Sequence, residues 1–406
     1  MGLSYLKKNI KKLGIMKSRD YLDLFKILLS FPFGMMLKLF RRDIWLISER
    51  PDDARDNGYW LFRYIRKQHP EKKHVYYPIN KKCRDYENKI KPLGNAVQIG
   101  SFRHHIYFWA AEKNISAHVG NGFPAPFMCR QFLLMGCYRF QNIFLQHGII
   151  KDVLPFLNAD INRIDLFICS TQRERQAVIR DMGYRPEQVR VTGLCRYDGL
   201  YDFTVNPKQI LIMPTWRSYL EAPYGHPASE SEEKVRSSSY LKHYTQLFCN
   251  ERLIRFAKEN ELTLLYFPHH QMQPYLAEFQ MRCPNITVAS AAEYDVQTAL
   301  KESAFLITDY SSIFFDFAYM RKPLLYFQFD YEEFRKNHYP EGYFSYRKDG
   351  FGPVLDSVEQ VVDCLIERYQ HGFRMEELFC SRAEHFFEFH DTEYCRRNYE
   401  AVIGKQ

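Results

Sequence analysis

The sequence lacks most features that would place it in an easily named class. Its ten cysteines form no Cys-x-x-Cys pair, and several sit in apolar runs such as Phe167-Ile168-Cys169 and Leu247-Phe248-Cys249. That usage excludes a disulfide framework and a zinc site and fits reduced, buried thiols. The N-terminal apolar run, Ile27–Leu37, has eleven residues without charge and contains Pro32 and Gly34. A spanning helix needs about twenty. No small-residue cleavage site follows that run, and position six is Leu6 rather than the Ser or Thr that myristoylation favours, so neither a signal peptide nor that lipid anchor is expected. Internal repeats and low-complexity tracts are absent, and no recognised nucleic-acid-binding motif appears, which excludes nucleic acid as the expected partner.

What is present is unevenly distributed. Of the 406 residues, 46% are hydrophobic and 16% aromatic, enough to bury the cores of two or three domains. Residues 1–42 hold ten of the 56 Lys and Arg but only two of the 48 acidic residues, so this segment carries the whole net charge of +8. The same segment carries the aromatic and aliphatic run Tyr21–Leu39. A basic amphipathic segment lying on an anionic membrane surface fits this pattern, each basic side chain contributing on the order of 1 kcal/mol there. The alternative is a helix packed on the protein's own body. The location expected on the first reading is the cytoplasmic face of the plasma membrane.

Beyond residue 42, short β-rich runs alternate with helical ones: 43–48, 74–79, 96–99, 115–119, 143–146, 165–169 and 189–192, then 209–214, 263–268, 286–289, 305–308 and 323–327. This alternation predicts an α/β fold of parallel sheets with crossover helices. Thr171 and Glu174 make a capping box for a helix that Gly183 stops. Pro223–Ser239 is polar and reads as a mobile loop. Ser381–Ile403 reads as helical. The expected organisation is a basic segment (1–42), a Rossmann-like acceptor-side domain (43–205), a Rossmann-like donor domain (206–380) and a C-terminal helix crossing back (381–406). Ligands of such domains bind beyond the carboxyl ends of the strands.

Five constellations lie at those ends. Gln146-His147-Gly148 follows a strand; His147 is placed to act as general base on a hydroxyl, its ordinary pKa near 6.5 leaving neutral imidazole available, and Gly148 lets the chain turn. A His bonded to a loop carbonyl is the alternative. In Tyr266-Phe267-Pro268-His269-His270, Pro268 ends ladder pairing, and His269 is the candidate contact to a donor phosphate. Thr308-Asp309-Tyr310-Ser311-Ser312 opens into the helical run Ile313–Met320, whose free N–H groups and dipole, with the hydroxyls of Ser311 and Ser312, form a pyrophosphate cradle without a glycine-rich loop. Ordinary N-capping by Asp309 or Ser311 accounts for the same residues. Thr215-Trp216-Arg217 ends another strand, where Arg217 can neutralise phosphate bidentately and Trp216 offers an aromatic wall. Finally, the charged run Glu49–Gly58, with Glu49 and Arg55, suggests an acceptor-side role, or a solvated turn with a helix cap.

Together these phrases resemble the CDP-glycerol glycerophosphotransferase family, the teichoic acid primases and polymerases. The matching phrases are Gln146-His147-Gly148, Thr192-Gly193, Arg196-Tyr197-Asp198, Pro214-Thr215-Trp216-Arg217, Pro268-His269, Ile307–Ser312 with Phe315-Asp316, and Lys322-Pro323, in the family's order. The sequence departs from it at Ile149-Ile150 before Lys151, where Thr-Pro is common. The resemblance implies a two-domain GT-B architecture whose domains face a central cleft, a CDP-glycerol or other CDP-polyol donor in the C-terminal half, a membrane-held, lipid-linked polymer acceptor near the N-terminal half, and catalytic roles for His147 and His269. In that scheme an acceptor hydroxyl attacks the phosphorus bearing the glycerol and CMP leaves, stabilised by the Ser311-Ser312 turn, Thr308, Asp309, Thr215, Arg217 and His269. No metal or cofactor is expected. The alternatives are a GT-B glycosyltransferase with a UDP- or GDP-sugar donor and a non-catalytic scaffold of a wall-polymer assembly.

Overall fold

The computed structural model of the chain describes residues 18–220, 228–275, 279, 281–290 and 294–404. These separate into two compact units. The first holds the chain up to His147, Pro155–Asp198 and the stretch from Phe389; the second holds Gly148–Leu154 and Gly199–Glu388.

The first unit is built on seven strands: β1 (Trp45–Ser48), β2 (Val75–Ile79), β3 (Ala96–Gln98), β4 (Lys113–Ser116), β5 (Gln141–Phe144), β6 (Leu166–Cys169) and β7 (Val189–Val191). Their order is β3-β2-β1-β4-β5-β6-β7 and every pairing is parallel. All four residues of β1 and of β6 are buried, because both faces of the sheet are covered. Ile47 packs with Leu61, Phe62 and Ile65 on one face, and Leu46 with Phe108, Trp109 and Phe140 on the other. β4 and β5 begin two residues before the apolar runs that announce them. Lys113 reaches Gln141 at 2.7 Å and Asn114 reaches Asn142 at 2.9 Å, so polar side chains extend the ladder where hydrophobicity gives no sign of it. Half of the expected capping box is seen: Thr171 accepts from the Glu174 N–H, while the Glu174 carboxylate accepts from the Ser170 N–H at 2.6 Å, and Gly183 closes the helix at φ +74°.

The second unit has six strands, β8 (Asn206–Ile212), β9 (Thr263–Tyr266), β10 (Thr287–Val288), β11 (Ser303–Thr308), β12 (Leu324–Phe327) and β13 (Val354–Leu355), in the order β10-β9-β8-β11-β12-β13, again all parallel. Its core joins Ile210, Ile212, Phe305 and Ile307 to the aromatic helix face of Tyr240, Tyr244 and Phe248. Each sheet therefore contains the doubly wound order 3-2-1-4-5-6, and the α/β class expected from the alternation is present.

Two readings are corrected here. The polar stretch taken as a loop is helical from Ala228 to Arg236, with Glu230–Lys234 and Glu232–Arg236 spaced i,i+4 along it; residues 221–227 lie outside the described residues. The C-terminal run is two helices, Glu377–Phe386 and Tyr394–Val402.

Of the basic N-terminal segment, residues 1–17 lie outside the described residues, and Ser18–Phe40 is a 23-residue helix with Pro32 inside it. It docks by a narrow stripe, Ile27, Ser30 and Gly34. A Cβ at Gly34 would stand 2.3 Å from that of Trp109, so glycine sets the approach, and Trp109 Nε1 donates to the Ile27 carbonyl at 3.0 Å. Most of its remaining apolar surface is bare, from Tyr21, Leu22 and Phe25 to Leu39 and Phe40. Among the described residues no helix is long and apolar enough to cross a membrane.

Candidate active site

In doubly wound sheets ligands sit beyond the carboxyl ends of the strands, at the point where strand order reverses. Here that point falls between β1 and β4 in the first unit and between β8 and β11 in the second.

In the first unit Ser48, Ser116 and Phe144 are paired across β1, β4 and β5. His147 lies just past that row. Its ring stacks on His118, with centroids 4.7 Å apart and planes at 11°. The Ala117 backbone beside the ring favours its protonated form, and the neutral imidazole carries one basic nitrogen. Surrounding protein, then the positive Arg50 and Arg196, disfavour the imidazolium and lower its pKa to about 4. The side chain keeps solvent access, and at neutral pH it is an uncharged base.

The backbone under His147 is held from three sides. Gln146 has φ +62°, a conformation that costs a non-glycine residue about 1–3 kcal/mol. Its side-chain amide donates to the Ile168 carbonyl, Asn57 Nδ2 donates to the Gln146 carbonyl at 2.7 Å, and Arg196 Nη1 donates to the His147 carbonyl at 2.9 Å. Arg196 is anchored in turn by Asp56 at 2.8 Å. The sequence marks Asn57 only as part of the Glu49–Gly58 run and Arg196 only through the Arg196-Tyr197-Asp198 phrase. The rest of that phrase is scaffolding. Asp198 accepts from the Tyr394 and Cys395 N–H groups, capping the last helix, and Gly193 lies so close to the Tyr394 ring that a Cβ would stand 2.3 Å from it.

The acceptor-side assignment of Glu49 and Arg55 is corrected. Glu49 is 1% exposed and accepts from the N–H groups of Arg55, Asp56 and Tyr59 at 2.6–2.9 Å, so it caps the Asn57–Gln68 helix. Burial and then Asp56 beside it raise its pKa. Arg55 is bound bidentately to Asp85, at 2.6 and 3.1 Å. Neither side chain is presented to a ligand.

In the second unit the residues after β8 and β11 meet. Arg217 is fully buried between two carboxylates: Nη1 reaches Asp309 at 2.8 Å, and Nε and Nη2 reach Asp330 at 2.7 and 3.0 Å. Asp309 also accepts from the Thr215 N–H at 2.7 Å, and Tyr310 donates to Asp330 at 3.1 Å. Arg217 and Asp309 are thus corrected from phosphate contacts to a buried ionic joint between strand ends. Thr308 is likewise spent, donating to the Met213 carbonyl at 2.8 Å. Asp330, missed in the sequence, completes the joint from just beyond β12.

What this joint supports is more open. Ser311 and Ser312 are partly exposed at the start of the Ile313–Tyr319 helix. Gly148 packs against Ser312: a Cβ there would stand 2.6 Å from Ser312 Oγ. Trp216 lies parallel to His269, centroids 6.0 Å apart. His269 Nδ1 accepts from the Gln271 N–H at 3.3 Å, which puts the proton of the neutral ring on Nε2, the tautomer that can donate to a phosphate oxygen. The Thr215 hydroxyl is buried without a protein partner.

Two doubly wound parallel sheets with polar, hydroxyl-rich carboxyl edges define an α/β chain of two Rossmann-like units. Residues 30–404 match the CDP-Glycerol:Poly(glycerophosphate) glycerophosphotransferase family, and the chain belongs to it. It is 34% identical over 370 residues to the minor teichoic acid biosynthesis protein GgaB of Bacillus subtilis (strain 168), covering 89% of this chain and 40% of that protein. It is 25% identical over 162 residues to a teichoic acid glycerol-phosphate transferase of Staphylococcus aureus (strain NCTC 8325 / PS 47), covering 40% of this chain and 36% of that protein. The chain thus spans well under half the length of these relatives. Among solved structures, the wall teichoic acid polymerase TagF superposes with a TM-score of 0.65 at 14% identity, over 96% of this chain and 98% of that one. A TagF variant soaked with CDPG gives a TM-score of 0.67 at 14% identity over the same shares. At that identity the likeness establishes the fold.

Proposed function

We propose that this chain transfers glycerol phosphate, or another polyol phosphate, from a CDP-linked donor to a hydroxyl of a membrane-held, lipid-linked teichoic acid-like polymer. The relatives' names, a teichoic acid glycerol-phosphate transferase among them, support the substrate class. In the reaction the basic nitrogen of His147 takes the proton of the acceptor hydroxyl, whose oxygen bonds to the phosphorus carrying the polyol. The bond from that phosphorus to the bridging oxygen breaks, and CMP departs with the oxygen and the electron pair. Catalysis of this kind depends on positioning and electrostatics. Ser311, Ser312, the Thr215 hydroxyl and His269 Nε2 are the proposed donor contacts, with Arg217 and Asp309 holding the strand ends that carry them.

The observation that carries the proposal is the match of residues 30–404 to the glycerophosphotransferase family, with His147 standing as an uncharged base at a strand end of the first unit. The test is a donor panel: CDP-glycerol, CDP-ribitol and UDP-sugars, each with an alcohol acceptor, monitored for nucleotide release. Release of CMP from a CDP-polyol is expected; preference for a UDP-sugar sinks the proposal.

We further propose that the Ser18–Phe40 helix rests on an anionic membrane on the cytoplasmic side, its bare Tyr21–Phe40 apolar surface in the headgroup boundary and Arg19, Lys26, Arg41 and Arg42 facing lipid phosphates. Replacing Leu22, Phe25 and Leu39 by Ser should release the protein from phosphatidylglycerol vesicles. Cosedimentation as strong as that of the wild type would place the contact elsewhere.

A further inference from the structure

The Lys322-Pro323 phrase has no part in the proposed reaction, and it stands at the edge of the second sheet opposite the candidate donor contacts. We infer that the cavity at the amino ends of β8 and β11 is a second ligand site, taking a phosphate monoester carried on a planar ring. Lys208 and Lys322 meet the phosphate, and Phe256, Tyr369 and Phe373 meet the ring. The inference does not depend on the reaction proposed above.

The cavity lies wholly within the second unit. Its volume is about 650 Å³, inside the range of roughly 300–1,000 Å³ usual for small-molecule sites. Lys208 enters it from the start of β8, Ala304 from the start of β11, and Lys322 from the turn before β12. The six residues of β11, about 20 Å at about 3.3 Å per residue, separate it from the hydroxyls of Ser311 and Ser312. A ligand here leaves those groups untouched.

The ionisable lining is cationic throughout. Lys208, Arg321 and Lys322 line the cavity, and among the described residues no carboxylate does. Arg321 is paired with Glu384 at 3.6 Å. The two lysines have neutral partners. Lys208 Nζ donates to the Asn260 carbonyl and the Tyr369 hydroxyl at 2.8 and 3.0 Å, and Lys322 Nζ donates to the carbonyls of Leu300 and Lys301 at 2.5 and 2.9 Å. Capping of the Val296–Glu302 helix explains the second pair of contacts but not their depth. Lys322 is 6% exposed, and burial lowers its pKa to about 7. A buried ammonium without a counter-ion is costly, and an anion in the cavity supplies one. A phosphate monoester, with a charge of about −1.5 to −2 at pH 7, matches two lysines better than a carboxylate does.

The remaining walls are rings. Phe256, Tyr369 and Phe373 are each partly exposed, and Tyr369 stands edge-on to Phe256 at 5.3 Å and to Phe373 at 5.6 Å. Such surfaces take a planar ring by stacking or edge contact. The backbone around them is constrained. Of the five non-glycine residues with positive φ among the described residues, two line this cavity, Arg321 at +57° and Phe373 at +48°. Backbone held in that region clusters where ligands are gripped.

The test is calorimetric titration of the full chain with cytidine 5′-monophosphate and with its two halves, cytidine and ribose 5-phosphate. The wild type should bind the nucleotide in this cavity as well as at the proposed donor contacts, and more tightly than either half. In Lys322→Met one of these binding events should weaken roughly tenfold to a hundredfold, the size of a lost charge-assisted hydrogen bond, with the other unchanged. His269→Ala should weaken only that other event. Lys208→Met, at a partly exposed side chain, should reproduce the loss and keeps the test decisive if Lys322→Met does not fold. Nucleotide binding unchanged in the lysine variants, both events weakened alike, or either half binding as tightly as the whole each overturns the second site. A single event that the lysine variants weaken and His269→Ala does not touch leaves the second site standing and counts against the donor contacts.

Discussion

The two carboxyl edges share a strand order and differ in how they use charge. At the edge of β8 and β11, Arg217 is sealed between Asp309 and Asp330 and every ionic group has its partner inside the protein. At the edge of β1, β4 and β5 the buried Glu49 serves the backbone and Asp56 holds Arg196, while Arg50 and His147 keep access to solvent. One edge is a joint that carries hydroxyls; the other is a frame that presents a base. A charged residue at a strand end is therefore ambiguous until its partners are known.

The largest expected difference between the edges is in stability. Replacing Arg217 by Met leaves two buried carboxylates without a counter-ion, and breaking such a pair from one side costs about 3–5 kcal/mol. Urea unfolding of Arg217→Met should show a loss of that order. A loss below about 1 kcal/mol, the worth of an exposed pair, would return Arg217 to the surface and to the phosphate role the sequence suggests.

Next in size is the effect on rate. His147→Ala should lower turnover a hundredfold or more, the usual contribution of a general base, equivalent to about 2.7 kcal/mol. Its unfolding midpoint should stay near that of the wild type, because the ring is solvent-accessible and the turn is held through Asn57, Gln146 and Arg196 rather than through the imidazole. Near-normal turnover removes His147 from the mechanism.

These outcomes bear on what the sequence reveals. The alternating strands, the Thr171 cap and the strand-end histidines were legible because periodicity and capping are local signals. The fate of Arg217 was not, since its partners Asp309 and Asp330 lie 92 and 113 residues away. Arg217 has the same sequence appearance whether it faces a ligand or an aspartate. His118 was hidden for a different reason. The apolar run suggested a strand over 115–119, which placed His118 inside it, whereas the ladder begins at Lys113 and ends at Ser116. A two-residue shift in a boundary turned a strand-end histidine into a strand residue. The Ala228–Arg236 helix is hidden in the sequence because it is mostly polar, Val235 being too isolated to mark an apolar period.

The smallest expected effect separates the electrostatic from the mechanical role of Arg196. Its guanidinium donates to the His147 carbonyl and adds to the positive potential that, with desolvation by the surrounding protein and with Arg50, holds the imidazole neutral. A general base works only when unprotonated, so the acid limb of kcat/KM follows its pKa in the free enzyme. For the wild type that limb should lie well below the ordinary histidine value of about 6.5. Arg196→Met removes one positive charge and frees Asp56, and both changes favour the imidazolium. The limb should therefore move up toward 6.5, making the variant more sensitive to mild acid. Arg196→Lys keeps the charge but cannot reproduce the two-sided grip on Asp56 and the carbonyl, so it should leave the limb in place and lower the rate at neutral pH. If both variants lose rate without moving the limb, Arg196 acts on the backbone alone, and the low basicity of His147 arises from desolvation by the surrounding protein and from Arg50.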